Sequence, residues 1–191
     1  MCAVPIFYVT TEGQTRRIAE RLALMLHSRD VTSEAIDVRS PRVQRVDWAQ
    51  VHAIAVGASV HGGRHQQEIE EFIRVNGDQL AASPSVFFSV SLRAASSKAS
   101  DLDAARDVVE TLIKQTGWQP QQTICVAGRL AYRKYGFFMK LVMRYLAKKG
   151  GLSTDTRRDH DYTDWRQIAR LADELAAHTR HPVDATQRVA S

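Results

Sequence analysis

The sequence predicts an α/β fold: a doubly wound, five-stranded parallel sheet with helices on both faces. Three observations predict it. Short apolar runs suited to strands alternate with segments whose apolar residues recur at helical spacing. The strongest strand-like runs lack in–out alternation, as strands buried on both faces do. The length of 191 residues suits one domain with a sizeable core.

Taken in order, Cys2–Val9 (CAVPIFYV) reads as a buried strand, although Pro5 cannot donate to a sheet ladder. Gln14–Ser28 carries Ile18, Leu22, Met25 and Leu26 on one helical face. Glu34–Val38 is a weaker strand and Ala53–Ala58 (AIAVGA) a buried one. Gln67–Asn76 is a helix with Ile69, Phe72 and Ile73 inward, followed by a strand at Ser85–Val90 (SVFFSV). Asp101–Gln115 is a helix with Leu102, Val108, Val109 and Leu112 inward, and Thr123–Ala127 is the fifth strand. The closing helix, Trp165–His178, has the stripe Ile168, Leu171, Ala172 and Leu175, with Thr163 or Asp164 placed to cap it. One domain over 1–178 is expected, with a polar, frayed tail over 179–191. The rhythm breaks once, at an insertion spanning about 129–162, longer than a compact domain needs for a connection.

The formal net charge of +5 favours anionic partners. The N-terminus begins directly with a strand and shows no secretory signal pattern, and no apolar run approaches the ~20 residues of a membrane span. Cys2 and Cys125 lie in strand-like segments without zinc-type spacing; they read as core thiols in a reducing compartment, and no metal site is expected.

In a doubly wound sheet, ligands bind beyond the carboxyl ends of the strands. Three loops follow such ends. Thr10, Thr11, Glu12, Gly13, Gln14 and Thr15 combine hydroxyls, a glycine and a helix N-terminus, which makes either an anion site with no cation before Arg16 or a polar loop with a helix cap. Neither a Walker loop nor the dinucleotide glycine pattern is present. Ser59, Val60, His61, Gly62, Gly63, Arg64 and His65 follow the third strand, and the paired glycines permit a tight bend beside a ligand. His61 and His65 lack a third ligand for a metal, so His61 either flanks a bound ring or is a surface histidine. Ser89, Val90, Ser91, Leu92 and Arg93 form the third loop, with hydroxyls, amides and one cation for a polar ring edge.

The insertion has no acidic residue between Arg129 and Gly151. Lys140, Arg144 and Lys148, four apart, line one narrow helical face, and Phe137, Phe138, Leu141, Val142, Met143, Tyr145 and Leu146 cover the rest. Gly150-Gly151 can end that helix. Such a segment can lie on an anionic membrane surface, can roof an active site over an apolar, anionic substrate, or both, or can be an ordinary helix packed on the domain. A nucleic acid would call for cations spread over a wider surface, and none is expected as partner.

Several stretches resemble the flavodoxin-type, menaquinone-dependent protoporphyrinogen IX dehydrogenases of haem synthesis. They are Thr11-Glu12-Gly13-Gln14-Thr15, Gly57-Ala58-Ser59, Ser89-Val90-Ser91-Leu92, Trp118-Gln119-Pro120 and the late set Gly150-Gly151, Thr154-Asp155-Thr156-Arg157 and Tyr162-Thr163-Asp164-Trp165. The resemblance runs from Phe7 to about His178. It implies a flavodoxin-like strand order 2-1-3-4-5 and FMN as cofactor, held by residues 10–15, 59–62 and 89–93 with Asp155 and Thr156. It implies oxidation of protoporphyrinogen IX with menaquinone or ubiquinone as acceptor, by a cytoplasmic protein resting on the inner face of the cell membrane, with room for a homo-oligomer. Arg93, Arg129, Tyr132, Arg133, Lys134, Phe137 and Lys140 are the substrate-facing candidates; no general base is assigned. The insertion, LAYRKYGFFMKLVMRYLAKKGG, departs from the family in lacking a proline and a tryptophan, and Ser91 stands where an asparagine is common. The alternatives are a flavodoxin-like electron carrier, a flavin quinone reductase with another donor, or a module that binds haem or an intermediate.

Overall fold

The computed structural model describes residues 2–134 and 136–180, with the backbone alone at 134, 137–139, 146 and 180. The first apolar run forms β1 (Val4–Val9), with every residue buried. It sits between β2 (Ser33–Asp37) and β3 (Ile54–His61), and the sheet continues through β5 (Ser85–Ser91) to β6 (Gln122–Ala127). The order β2-β1-β3-β5-β6 is parallel throughout, which is the expected 2-1-3-4-5 arrangement of the five main strands. Pro5 is tolerated because the ladder with β3 begins one residue later, where Ile6 faces Ala55. Cys2 lies ahead of β1 and Cys125 within β6; both are half-buried, and burial pushes both thiols up in pKa.

Two cores flank the sheet. On one face, α1 (Gln14–His27) and α6 (Trp165–Arg180) pack Ile18, Leu22, Leu26, Ile168, Leu171 and Leu175 against Val4, Ile6, Phe88 and Val126. On the other, α2 (Gln67–Val75), α3 (Gly77–Ala82) and α4 (Ala99–Thr116) cover Phe7, Val56 and Phe87 with Ile69, Phe72, Leu80, Val109 and Leu112. Each such side chain, fully buried, is worth about 1.5–3 kcal/mol in transfer terms. In α4 the buried stripe is Ala105, Val109 and Leu112, while Leu102 and Val108 are only half-buried, so the helix is rotated from the expected face. At the start of α6, Asp164 supplies the cap by accepting from the Arg166 amide at 2.9 Å, and Thr163 is used elsewhere.

Two short antiparallel pairs complete the fold. β4 (Arg64–His65) turns back on the end of β3, and β7 (Arg129–Leu130) pairs with β8 (His160–Asp161), joining the two legs of the insertion. Between those legs lies α5 (Phe137–Lys149), ended by Gly151 in the left-handed region at φ 73°. Among the described residues, no helix is long and apolar enough to cross a membrane.

Gly57 of β3 lies opposite Phe88 of β5, and a Cβ at Gly57 would come within 2.0 Å of the Phe88 ring. Replacing Gly57 by Ala is expected to cost about 1–3 kcal/mol through overpacking, read as a lower midpoint in urea denaturation. The double variant with Phe88→Leu is expected to recover part of the loss.

Candidate functional site

The chain leaves β1 at Val9 and turns into α1 through Thr10–Gly13. Thr10 Oγ1 accepts from the Gly13 amide at 3.0 Å, closing the turn. Gly13 has φ 92°, where a side chain is strained, although a Cβ there would meet open space. No side chain caps α1, and no acid lies in its first turn, so the N-terminal amides keep their affinity for an anion. Thr15 is fully buried and its Oγ1 has no partner in the protein. The arginines that follow the loop are paired, Arg16 with Glu20 at 2.7 Å and Arg17 with Asp161 at 2.8 Å while lying over the Trp165 ring, and Arg39 Nη2 donates to the Thr10 carbonyl at 3.4 Å. A dianionic phosphate held by neutral donors fits this loop, and it would supply the acceptor that the buried Thr15 hydroxyl lacks.

The second segment is more regular than expected. Ser59, Val60 and His61 belong to β3, and Gly62 and Gly63, at φ 59° and 82°, make a tight two-residue hairpin turn into β4. The register places His65 opposite Val60, so His65 enters the interior while His61 stays exposed. His65 Nε2 lies 3.0 Å from Ser89 Oγ, and its ring meets Phe87 edge-on at 5.2 Å. Burial lowers its pKa from 6.5 to about 4, so it is neutral near pH 7. Next to it, Gln66 Nε2 donates to Thr11 Oγ1 at 3.1 Å and to Ser59 Oγ at 2.5 Å, tying the first two segments together.

The third segment is also strand for half its length. β5 pairs with β6 as far as Ser91 opposite Ala127, so Ser89, Val90 and Ser91 are buried and the loop begins at Leu92. Ser89 is committed to His65, and Val90 packs in the α1–α6 core, leaving its backbone as the only part to meet a ligand. Ser91 Oγ accepts from the Ala94 amide at 3.3 Å. Arg93 is exposed, and Leu92 packs on the insertion.

The insertion has its own small core of Leu130, Tyr132 and Ala147, with Leu92, Met143, Leu152 and Tyr162 against it. Tyr132, expected to face substrate, is instead fully buried; its hydroxyl donates to the Ser153 carbonyl at 3.1 Å and props the insertion from within. Asp159 accepts from the Arg133 amide at 2.9 Å and from Arg129 Nη2 at 2.5 Å, and these bonds hold its carboxyl below the usual carboxylate range. Asp155 is taken up by the Arg157 side chain and amide, which likewise lower its pKa. Its carboxylate is thus spent within its own turn, where Thr156 is half-buried. On α5, Leu141, Val142 and Tyr145 are 50%, 52% and 59% exposed beside exposed Arg144, Lys148 and Lys149, and Lys140 is half-buried. The side chains of Lys134, Phe137, Phe138 and Leu146 lie outside the described residues, as does the tail from 181 onward.

The insertion's return leg is tied to the phosphate-type loop. Gln14 Nε2 donates to Thr163 Oγ1 at 2.7 Å and to Asp161 Oδ1 at 3.2 Å, and the Thr163 hydroxyl donates to the Ala127 carbonyl at 3.0 Å. A cleft of about 90 Å³ between that loop and the outgoing leg of the insertion is lined by Glu12, Gly13, Gln14, Arg17, Arg129 and Ala131. Of the expected residues, Glu12, Gly13, Gln14 and Arg129 line this one cleft, and Thr10, Thr11 and Thr15 are not part of its lining. His65, Gln66, Asp161 and Thr163 are the structural partners that sequence reasoning did not assign to the site. The signal for the first two was the double glycine, which reverses a strand and returns the next residues to the sheet.

His65 is buried neutral, so below pH 6.5 the unfolded chain takes a proton that the folded one refuses. Stability is therefore fully present above pH 6.5 and is lost as pH falls toward 4, by about 3 kcal/mol for this group. His65→Gln is expected to remove this slope. The measurement is urea denaturation of both proteins from pH 7 to 4, reading the difference between them.

A family model described as a flavodoxin domain matches residues 5–157. The protoporphyrinogen IX dehydrogenase [quinone] of Escherichia coli K12 is 29% identical over 177 residues, covering 93% of this chain and 96% of that protein. A protein of the same name from Leishmania major is 30% identical over 175 residues, covering 90% and 74%. Among solved structures, a flavodoxin from the domain Archaea superposes with a TM-score of 0.51 at 16% identity, covering 93% of this chain and 99% of that one, which bears on the fold alone. The 2-1-3-4-5 sheet and the flavodoxin-domain match imply a flavin cofactor, and the chain belongs to the flavodoxin-domain family and, within it, to the protoporphyrinogen IX dehydrogenase [quinone] family.

Proposed function

We propose that this protein is an FMN-dependent oxidoreductase that converts protoporphyrinogen IX to protoporphyrin IX and passes the electrons to a quinone. The observation that carries the reading is the convergence of the neutral phosphate-type loop and the basic insertion on one cleft, joined through Gln14, Asp161 and Thr163. When bound, FMN supplies the acceptor for hydrogens removed from the substrate. The protein's own groups bind and orient. Residues 12–15 offer amides and the Thr15 hydroxyl to the phosphate. The exposed cations of the insertion, Arg133 and Arg144 among them, suit the two propionates of a tetrapyrrole. Leu141, Val142 and Tyr145 offer the apolar surface that substrate and quinone both need.

The same exposed face supports contact with an anionic membrane surface on the cytoplasmic side. Each cation near anionic lipid contributes about 1 kcal/mol, and three apolar side chains beside them can enter the interface. This arrangement delivers a greasy acceptor to the site without a membrane span.

The test is spectroscopic. The purified chain is expected to show a flavin absorbance band that bleaches when protoporphyrinogen IX is added without oxygen and returns on addition of a quinone. Deleting 132–149 is expected to abolish bleaching and leave flavin bound, because the phosphate-type loop lies outside the deleted segment. A band that protoporphyrinogen leaves unchanged would favour an electron carrier or a quinone reductase with another donor, and bleaching that survives the deletion would remove the insertion from the reaction.

A further inference from the structure

Gln66 sits between β4 and α2, where the hairpin returns to the sheet. One end of its carboxamide meets two hydroxyls, Thr11 Oγ1 in the phosphate-type loop and Ser59 Oγ near the end of β3. The other end, Oε1, is buried and has no partner in the protein. Reversing the amide does not relieve this. Thr11 and Ser59 are hydroxyls that either donate or accept, so a flipped carboxamide would satisfy the same two groups and leave a buried amino group unpartnered instead. The unmet hydrogen bond belongs to the position of the side chain. Buried polar groups in native proteins are nearly always paired, so this one calls for a partner from outside the chain.

We propose that Gln66 is a binding residue for the polyol chain of the flavin nucleotide, its free amide end hydrogen-bonding a ribityl hydroxyl. The inference rests on the flavin reading given under Proposed function. Two features narrow the ligand chemistry. The partner must be able to donate or accept, as a hydroxyl does, and a neutral amide suits a neutral partner. Gln66 also spans the gap between the loop suited to the phosphate and the strand end beyond which a ring would bind. A linker joining those two parts has to pass that gap. His65, the adjacent residue, is already committed to Ser89 and does not compete for the same partner.

The role makes Gln66 a discriminator between flavins by their side chain. The experiment titrates the full-length apoprotein, wild type and Gln66→Met, with FMN, riboflavin and lumiflavin, following flavin fluorescence. Methionine is similar in size and offers no comparable hydrogen-bonding end. FMN and riboflavin are expected to weaken by the same factor, about three- to tenfold, with lumiflavin, which lacks the ribityl chain, unchanged. Equal affinity of wild type and variant for riboflavin overturns the proposal. So does a loss confined to FMN, which would act through the phosphate loop, or a loss shared by lumiflavin, which would act through the ring or the scaffold. If Gln66→Met lowers the melting temperature of the apoprotein, Gln66→Glu decides the matter. Its carboxylate still accepts from a hydroxyl, so riboflavin should bind more tightly than to Gln66→Met, and equal weakness in both variants overturns the proposal. A wild-type apoprotein that binds none of the three flavins defeats the flavin reading itself, a result separate from any effect of residue 66.

Discussion

The turn between β1 and α1 is the constraint on which the rest of the molecule hangs. Gly13, in the left-handed region, brings the chain from a buried strand into a helix whose first amides face outward without a capping side chain. The next residue, Gln14, is buried, and its amide reaches Asp161 and Thr163 almost 150 positions later. Thr163 in turn holds the carbonyl at the end of β6. One turn therefore presents the anion site, fixes the return leg of the insertion and docks the start of α6. A polar network of this kind is costly when half-satisfied and specific when complete. Its one unmet member in the loop is the Thr15 hydroxyl, which on the proposed reading a phosphate would complete.

Charge is sorted along the insertion. The return leg carries Asp155, Asp159 and Asp161, which neutralise Arg157, Arg129 and Arg17 respectively. The outgoing leg and α5 contain no acid at all. Exposed Arg144, Lys148 and Lys149 of α5 therefore have no acid on their own helix and stand beside apolar side chains, while Arg129 and Arg157 in the legs are balanced by Asp159 and Asp155. Coulomb attraction would draw an acidic, apolar partner toward α5.

Much of this was legible in the sequence. The three inner strands stand out because both faces are buried and the runs Cys2–Val9, Ala53–Ala58 and Ser85–Val90 are mostly apolar, whereas the edge strands β2 and β6 are only partly buried and read more weakly. The anion loop is legible because hydroxyls and a glycine follow such a run directly. Other elements were hidden by length: β4, β7 and β8 have two residues each and α3 six, too few for a period to show. The ends of β3 and β5 read as loops because Ser59, Ser89 and Ser91 are polar, yet Ser89 and Ser91 are buried and all three are held by specific partners. Tyr132 reads as an exposed aromatic in a basic stretch, and only the folding of α5 back over it makes it core. The contributions of Gln66 and Asp161 depend on pairings between distant segments, which local pattern does not encode.

The central claim is that uncharged amides and hydroxyls at residues 12–15 hold the phosphate of FMN. A crystal structure of the full chain grown with FMN tests it most directly. The account predicts phosphate density within hydrogen-bonding distance of Thr15 Oγ1 and the first amides of α1, with Arg16 still on Glu20. A phosphate carried instead by the arginines of the insertion, with the turn after β1 left empty, would contradict it.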